Sequence, residues 1–577
     1  MRLASLNMKT KDYHPKNYQE LLAKYRKVSP KILEVESSKI DKRASIASGL
    51  EVYSGEWGDL QKAHFLKRIL FGLIPEDLKA LDGLSFEQSV ELILSQGEVP
   101  SAPVNDYNDA GDGIEDPEIA YGETWINSAY GGDYEGPRTI SLKNWLISNA
   151  VNQSVSLEEK MIFFWHNLLP IQTWGIFYSK LCYQYFDMLR TNCFGNFKTL
   201  IRELTLNPAM LLYLNGTYNN KEAPDENYGR ELQELFCIGK GPNAGFTESD
   251  VQEAARVLTG WVVDWENFHA SGELQVFFYP PFHEESDKQF SSFYGDRLIE
   301  GKTGSAGAEE LDELLDMIFE NDETALYICR RLYKFFVYNE IDATTEEQII
   351  VPLAQTFRAN NYEVLPVIRQ LLLSAHFHDT ANHGAMIKSP SEFLIGLWRT
   401  FGMGVETEDL KLLKDQHSSL LWQMANMGLE LGDPPSVSGW PAYYQEPSFD
   451  KYWITTDTIT NRALLGDSMV YWGYWINPDL QTPIDFIPFL KRLQNPEDPN
   501  LMLQECSLLI LGIQLDETSL NNLKAILLSG QQTDSYWTIA WGEMIQNPGD
   551  QEYEMVVVNR LKPTFQHLLQ LGEAQLM

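Results

Sequence analysis

Four polar residues in one short stretch have the types and the spacing to do chemistry. They are Asn227, Arg230, Glu231 and Glu234. A helix would place them on one face, because residues three and four positions apart are neighbours on a helix surface. Two carboxylates at i and i+3 on an inward face can bind a metal ion or transfer protons. The alternative is a set of solvated i,i+4 pairs, Glu226 with Arg230 and Arg230 with Glu234, each contributing about 0.2–0.5 kcal/mol.

The surrounding sequence predicts the helices that position this face. Asp225 is a suitable N-cap for the first helix, and Gly239 is a suitable left-handed stop. A second helix is predicted to begin at Thr247, which stands three residues before Asp250 as in a capping box, and to end at Gly260. The candidate residues therefore lie on a well-delimited helix with a second helix directly after it.

Helical periodicity continues through most of the chain, which predicts a mainly α, multi-helix globular body. One small β-hairpin is expected at about 261–280, where WVVDW and ELQVFFYP are separated by the turn-like HASG. The expected parts are an N-terminal extension, 1–58, and three helical parts. The helical parts are 59–300, which carries the hairpin, 301–465 and 466–577.

Composition narrows the classes of function. The 577 residues are 44% hydrophobic and 12% aromatic, which is typical of a folded protein rather than a disordered one. Acidic residues number 81 against 45 basic ones, so the formal charge is −36. Such a charge repels phosphate backbones and anionic lipids, which argues against nucleic acid and membrane surfaces as partners.

Cysteine usage and hydropathy predict a cytoplasmic protein. Five scattered cysteines contain no C-x-x-C pair, so they indicate neither a disulfide framework nor a zinc site. The first 20 residues contain no apolar signal region, and export by a route without that signal is the alternative. Residues 161–181 are apolar, but His166, Asn167 and Pro170 interrupt them, which argues against a membrane span.

Other motifs are weaker. No P-loop, G-x-S-x-G or H-E-x-x-H motif is present, which argues against nucleotide-driven and serine-hydrolase chemistry. The acidic loop 97–122 lacks EF-hand spacing, since Ala110 takes the fifth position. His376, His378 and His383 are interpreted as exposed loop histidines. The aromatic loop 430–453, which contains Trp440, has side chains that could stack on a sugar or peptide.

Eight segments from about His64 onward carry a resemblance to a known family. In chain order they are FFWHN (163–167), NPAMLLYLNG (207–216), ENYGRELQELF (226–236), GFTESDVQEAARVLTGW (245–261), the His283 segment with Lys288 and Gly295, RRLYKFFV (330–337), KSPSEF (388–393), and PPSVSGWP (434–441) with Trp453 and Arg462 after it. In this order they resemble the large bacterial family named domain of unknown function 1800. The resemblance covers nearly nine-tenths of the chain and implies a helical fold without an established activity.

Three further points come with the resemblance. Genes of the family often neighbour one for a family similar to the sulfatase and alkaline-phosphatase superfamily, which implies a protein partner of that type. Many members have His-Asn-His where this chain has Leu168 in the third position, which argues against chemistry that needs the second histidine. Gly229 stands in place of the usual alanine of the ENYGREL motif.

The polar members of these motifs form the expected site. Catalysis is assigned to His166, Arg230, Glu231 and Glu234. A divalent metal is expected on His166, Glu231, Glu234 and His283, a nitrogen and oxygen ligand set that suits zinc or another transition metal. Binding is assigned to Asn167, Glu226, Asn227, Arg256, Lys388 and Trp440.

Three functions fit these residues. The first is a helical enzyme that uses the His/Glu site to activate water or to hold iron. The second is a non-catalytic scaffold or assembly protein, in which Glu226, Glu231 and Glu234 are balanced by Arg230 and Arg256 in a buried ion-pair network. The third is a protein that binds a saccharide or a peptide without catalysis.

Overall fold

Helices make up most of the computed structural model, which describes residues 48–108, 115–271, 274–440 and 451–577. The expectation of a mainly α fold is confirmed. The predicted extension, 1–58, lies largely outside the described residues, and so does part of the predicted turn HASG. The division of the body into three helical parts stays a prediction.

The α-helices are numbered α1 to α25 in chain order. The first twelve are Asp59–Ile69, Pro75–Lys79, Phe86–Leu94, Glu135–Val151, Glu158–Leu168, Thr173–Ile176, Ser179–Thr191, Phe197–Thr205, Pro208–Tyr213, Glu226–Glu231, Glu248–Val257 and Trp265–Ser271. The others are Glu310–Glu320, Asp322–Phe336, Ala343–Thr345, Val351–Ala359, Val364–Leu373, Pro390–Phe401, Leu410–Asn426, Thr456–Tyr471, Phe486–Lys491, Pro499–Leu511, Glu517–Leu527, Ser535–Gln546 and Gln551–Gln570.

Short strands form antiparallel pairs on this helical body. The strands β1 to β6 are Trp261–Val263, Val276–Phe278, Lys288–Gln289, Leu298–Ile299, Tyr474–Asn477 and Leu480–Thr482. The predicted hairpin is β1 with β2, in the register Trp261 opposite Phe278. Its connection contains the helix α12 rather than a tight turn alone. The pairs β3–β4 and β5–β6 were not predicted, because strands of two to four residues are too short to show alternation.

The two motif helices begin and end close to the predicted positions. Asp225 caps α10 by accepting a hydrogen bond from the Asn227 backbone N–H at 2.8 Å. The helix then continues as one π-helical turn, Leu232–Cys237, before Gly239 at φ +88°. Helix α11 begins after the capping box of Thr247 with Asp250. The caps were therefore predicted correctly, whereas the π-helical turn was not.

Gly229 explains why α10 and α11 lie so close together. A Cβ atom at this position would lie 3.1 Å from the Ala255 backbone nitrogen and 3.3 Å from the Val251 carbonyl oxygen. Glycine therefore allows the two backbones to approach more closely than the alanine that is usual in the motif would.

Apolar side chains from the helices join into one continuous core within residues 48–577. All five cysteines are buried and unpaired in this core. Burial raises the pKa of each thiol, for example that of Cys193 to about 12. Among the described residues, no helix is both long and apolar enough to span a membrane.

Candidate functional site

His166 lies in the last turn of α5 and is 1% exposed. Its Nδ1 lies 3.1 Å from the Tyr185 hydroxyl, which donates its own proton to the Leu169 carbonyl at 2.7 Å. Nδ1 therefore carries the imidazole proton and donates it to Tyr185. Burial, assisted by the charge of Lys143, lowers the pKa of His166 to about 3. Nε2 has no hydrogen-bond partner within the described part of the chain, so His166 is a neutral imidazole in the core.

Residues 430–440, which contain most of the PPSVSGWP motif, are held by a hydrogen bond to the end of α5 and by an ion pair with α4. Asn167 Oδ1 accepts a hydrogen bond from the Trp440 backbone N–H at 2.9 Å. Asp433 pairs with the buried Lys143 at 2.5 Å. Trp440 is 1% exposed and Asn167 is buried, so neither faces a ligand arriving from solvent. Both hold this segment in place.

The predicted polar face of α10 is partly an exposed ion-pair group. Arg230 Nη2 binds Glu226 at 2.9 Å, and Nη1 binds Glu248 of α11 at 3.0 Å. Asn227 Nδ2 donates to the Leu214 carbonyl at 3.3 Å. The pair of Arg230 with Glu226 follows the i,i+4 spacing, and Glu248 adds a link to the next helix.

The two glutamates that were expected to act together have different surroundings. Glu234 forms a salt bridge with Lys240. Glu231 is buried, and its Oε2 atom has no hydrogen-bond partner among the residues described. Burial raises the pKa of Glu231, opposed by the charges of Lys240 and Arg230.

His283 belongs to a separate, closed network. Its Nδ1 lies 3.0 Å from the Thr259 carbonyl oxygen, and its Nε2 lies 3.1 Å from Glu310 Oε1. Glu310 Oε2 accepts from Lys288 Nζ at 2.6 Å. The side chains of His283, Lys288 and Glu310 are fully buried. A Cβ atom at Gly307 would lie 2.5 Å from the imidazole, so the ring has no free side there.

Arg256 and Lys388 also bind protein groups. Arg256 Nη2 pairs with Glu284 at 2.7 Å. Lys388 Nζ donates to the Ala574 carbonyl at 2.8 Å. Burial, together with the charge of Arg462, lowers the pKa of Lys388 to about 7. Both residues connect elements that are distant in the sequence.

The four expected metal ligands are not assembled into a metal centre. Across the described ranges, no group of three or more His, Cys, Asp or Glu side chains is placed to hold a metal ion. Glu234 is paired with Lys240, and His283 is paired with Glu310. The residues present therefore do not fit a bound divalent metal.

The expectation that the histidines between 376 and 383 are exposed is wrong. His376 and His378 are 2% and 3% exposed. His383 stacks on His64 of α1, with ring centroids 4.0 Å apart. The segment is drawn inside because it packs under the first helix, a contact that sequence periodicity does not show.

A cleft of about 600 Å³ lies away from these motifs. Its walls are residues 97–106, the helix α4, the start of α5 and the helix α19, which packs against α4. Helix α4 and its C-cap residue Asn152 present a stripe of side chains to the cleft: Ser141, Asn144, Trp145, Ser148, Asn149 and Asn152. The volume falls within the range of small-molecule sites, about 300–1,000 Å³.

Several polar atoms of the cleft lining are buried without a hydrogen-bond partner in the described structure. They are Oδ1 of Asp106, Nδ2 of Asn149 and both amide atoms of Gln153. A buried donor or acceptor that is left unpaired costs about 1–3 kcal/mol. These atoms have almost no accessible surface, so a molecule in the cleft does not reach them without a local rearrangement.

The ionisable side chains of the cleft differ in their partners and in the shifts of their pKa values. Glu159 is paired with Arg190 at 2.7 Å, and burial raises the pKa of Glu159 against that cation. Asp106 has no such salt bridge with another described residue, and burial raises its pKa to about 6, opposed by the charge of Lys414 and by hydrogen bonds from Asn144 and Ser141. Burial also lowers the pKa of His417 to about 4, so this histidine is neutral near pH 7.

The sequence contained a signal for this cleft. Residues 141, 144, 145, 148, 149 and 152 follow the spacing i, i+3, i+4, i+7, i+8 and i+11, which is one face of a helix. That face is amide- and hydroxyl-rich, with one tryptophan, and it contains no lysine or glutamate. A solvated helix face usually carries such charges, so this stripe could have been singled out.

Comparison with known proteins gives one match. A family model described as "Protein of unknown function (DUF1800)" matches residues 64–567. No curated protein and no solved structure is significantly similar to this chain.

Proposed function

Because that match spans most of the chain, the chain belongs to the DUF1800 family, whose description gives no activity, and we propose from geometry that the protein binds a saccharide in the cleft. The observation that carries the proposal is the row of amide and hydroxyl side chains beside Trp145 that lines a cleft of about 600 Å³. A ligand rich in hydroxyl groups can donate to and accept from such side chains.

The lining matches the chemistry of a sugar ring. Amide side chains such as Asn149 and Asn152 both donate and accept hydrogen bonds, as each sugar hydroxyl does. Trp145 supplies an aromatic surface in the same wall, and its Nε1 is held by the Ser101 carbonyl at 2.6 Å. Apolar C–H faces of a sugar pack on such a ring while the hydroxyls reach the amides.

In this proposal the ENYGREL region is the scaffold and not the reaction centre. Arg230, Arg256 and Lys288 each have carboxylate partners from the protein. Buried or partly buried charges that are already paired specify how helices pack, and breaking them destabilises the fold. The described residues give the metal-dependent enzyme no geometric support. The proposed saccharide site is the cleft at Trp145 and not the aromatic loop at Trp440.

Isothermal titration calorimetry with neutral, N-acetylated, amine-bearing and uronic-acid tetrasaccharides tests the proposal. We expect one class to bind, and Asn149→Ala to weaken that binding by about tenfold, since one lost hydrogen-bonding group costs about 1–2 kcal/mol. The melting temperature of the variant should stay close to that of the unchanged protein.

Asn547→Ala is the matched control for a lost amide. Asn547 is exposed, and its side chain bonds only the Glu543 carbonyl in its own helix. This variant should bind as the unchanged protein does. Absence of binding for every tetrasaccharide, or equal loss in both variants, would overturn the saccharide proposal.

A further inference from the structure

Three imidazole rings lie in contact between α1 and the segment that follows α17. The rings of His64 and His383 are stacked, with centroids 4.0 Å apart and planes 12° apart. The ring of His378 lies edge-on to that of His64, with centroids 6.2 Å apart. His64 and His378 are each 3% exposed, and His383 is half-buried. These three side chains are called the histidine cluster below.

A permanent positive charge lies beside the histidine cluster. Arg68, one turn after His64 on α1, is buried and donates to the Asn382 carbonyl at 2.5 Å. Burial lowers the pKa of His383, the charge of Arg68 lowers it further, and the carboxylate of Asp379 opposes both. A second positive charge on the stacked rings would therefore meet one that is already there.

The acidic neighbours are engaged with other groups. Asp379 Oδ2 accepts a hydrogen bond from the Ser48 hydroxyl at 3.0 Å. Glu51 acts on His376, outside the histidine cluster. His376 differs from the cluster because both of its ring nitrogens have partners, the Ser48 carbonyl at 3.0 Å and the Tyr333 hydroxyl at 2.9 Å.

The histidine cluster has no acceptor for an added proton. His378 Nε2 donates to the Leu372 carbonyl at 3.0 Å, so a further proton would add at Nδ1. Nδ1 of His378 and Nε2 of His383 are buried and have no hydrogen-bond partner in the described part of the chain. Burial lowers the pKa of His378 to about 4 and that of His64 well below its usual value. The three rings are therefore neutral near pH 7.

Residues 48–57, which lead into α1, are held by the segment that carries the histidine cluster. The rings of Tyr53 and Trp57 pack on His378, with centroid distances of 4.8 and 5.8 Å. Three backbone hydrogen bonds join the two segments, from the N–H groups of Tyr53, Ala375 and His376 to the carbonyls of Leu373, Glu51 and Gly49 at 2.9, 2.8 and 3.0 Å.

We propose that the histidine cluster is an acid-sensitive latch, which holds residues 48–57 on the helical body near neutral pH and releases them when its rings are protonated. A charged imidazole without an acceptor is costly in the core, and release exposes it to water. The pKa of His378 is about 4 in place, against 6.5 for an unperturbed histidine. The latch is therefore complete above about pH 6.5 and is lost as the pH falls toward about 4.

Hydrogen exchange followed by mass spectrometry tests the latch, with rates corrected for the intrinsic effect of pH on exchange. Between about pH 7.5 and about pH 5, we expect the protection of the amides of Tyr53, Ala375 and His376 to fall at least about tenfold, since each proton taken up on release changes the equilibrium by up to tenfold per pH unit. Amides of α22 should lose less protection.

Two variants remove proton sites from the histidine cluster. His378→Phe keeps an aromatic ring against Tyr53 and Trp57. His383→Gln changes a half-buried position, so it tests the latch even if His378→Phe disturbs folding. Each should reduce the effect of pH on the three amides by about tenfold. His567→Phe, at an exposed histidine, is the control and should behave as the unchanged protein does.

Two results would overturn the latch. One is protection in residues 48–57 that is equal at the two pH values, or a loss that is shared equally by α22, because the latter is unfolding of the whole chain. The other is a pH effect that stays the same in His378→Phe and in His383→Gln, because the protons would then be taken up elsewhere.

Discussion

The buried network at His283 and the cleft at Asp106 each contain a carboxylate, and the surroundings of the two carboxylates differ. Glu310 accepts hydrogen bonds from His283 and Lys288, and its side chain has no exposed surface. Asp106 borders about 600 Å³ of space with one oxygen unpaired. A carboxylate whose charge is matched by a buried lysine stabilises the fold, whereas burial of Asp106 at the edge of the cleft raises its pKa and does not stabilise the fold. The residue type alone does not distinguish the two.

The largest loss of stability is expected for Glu310→Ala, in the buried network at His283. The change leaves Lys288 and His283 buried without their carboxylate, so we expect the free energy of unfolding to fall by about 3–5 kcal/mol. Urea denaturation followed by circular dichroism measures it. Glu309→Ala is the control, because Glu309 is exposed and pairs only with Lys302 at 2.9 Å; a similar loss in both variants would contradict the contrast.

Low pH should lower the free energy of unfolding, because the buried His166 is neutral in the folded chain. The folded pKa of His166 is about 3, against 6.5 for an unperturbed histidine, so the unfolded chain binds more protons below pH 6.5. The stability due to neutral His166 is complete above about pH 6.5, and it is lost as the pH falls toward about 3, by an amount on the order of a few kcal/mol.

Urea midpoints measured across that pH range provide the readout. His166→Phe should flatten the dependence of stability on pH. His567→Gln should not, since His567 is exposed. Equal slopes in all three proteins would show that His166 is not protonated on unfolding in this range.

In the cleft, Asp106→Asn should leave the free energy of unfolding unchanged or raise it slightly. The folded pKa of Asp106 is raised from 3.8 to about 6, so its ionised form destabilises the folded chain above about pH 4. An amide removes that penalty, and we expect a gain of up to about 1 kcal/mol near neutral pH that vanishes near pH 4. A loss of stability in the same urea measurement would place Asp106 with the scaffold residues.

The smallest effect is expected for Arg230→Ala. Its pairs with Glu226 and Glu248 are partly exposed, with side-chain exposures of 31%, 37% and 62%. The loss should be below about 1 kcal/mol and should shrink further in high salt, because salt screens exposed charges. A larger loss of stability that is independent of salt would mean that these ion pairs behave as buried ones.

The sequence predicted the elements better than the site. Caps such as Asp225 and Thr247 are local, so their hydrogen bonds could be inferred from neighbours in the chain. The partners of His283 and Asp106 lie on other elements, and no spacing reveals them. Helix α4 is the instructive case, since its polar stripe was visible in the sequence but the empty space beside it was not.

The burial of the cysteines has a practical consequence. All five thiols are inside the core with raised pKa values, so a thiol-reactive reagent finds little thiolate to attack in the folded chain. A single cysteine introduced at Asn152, which is exposed on the cleft rim, would then be the only readily labelled position within the described residues. The native cysteines would therefore react little with the reagent when a fluorescent reporter is attached beside the cleft.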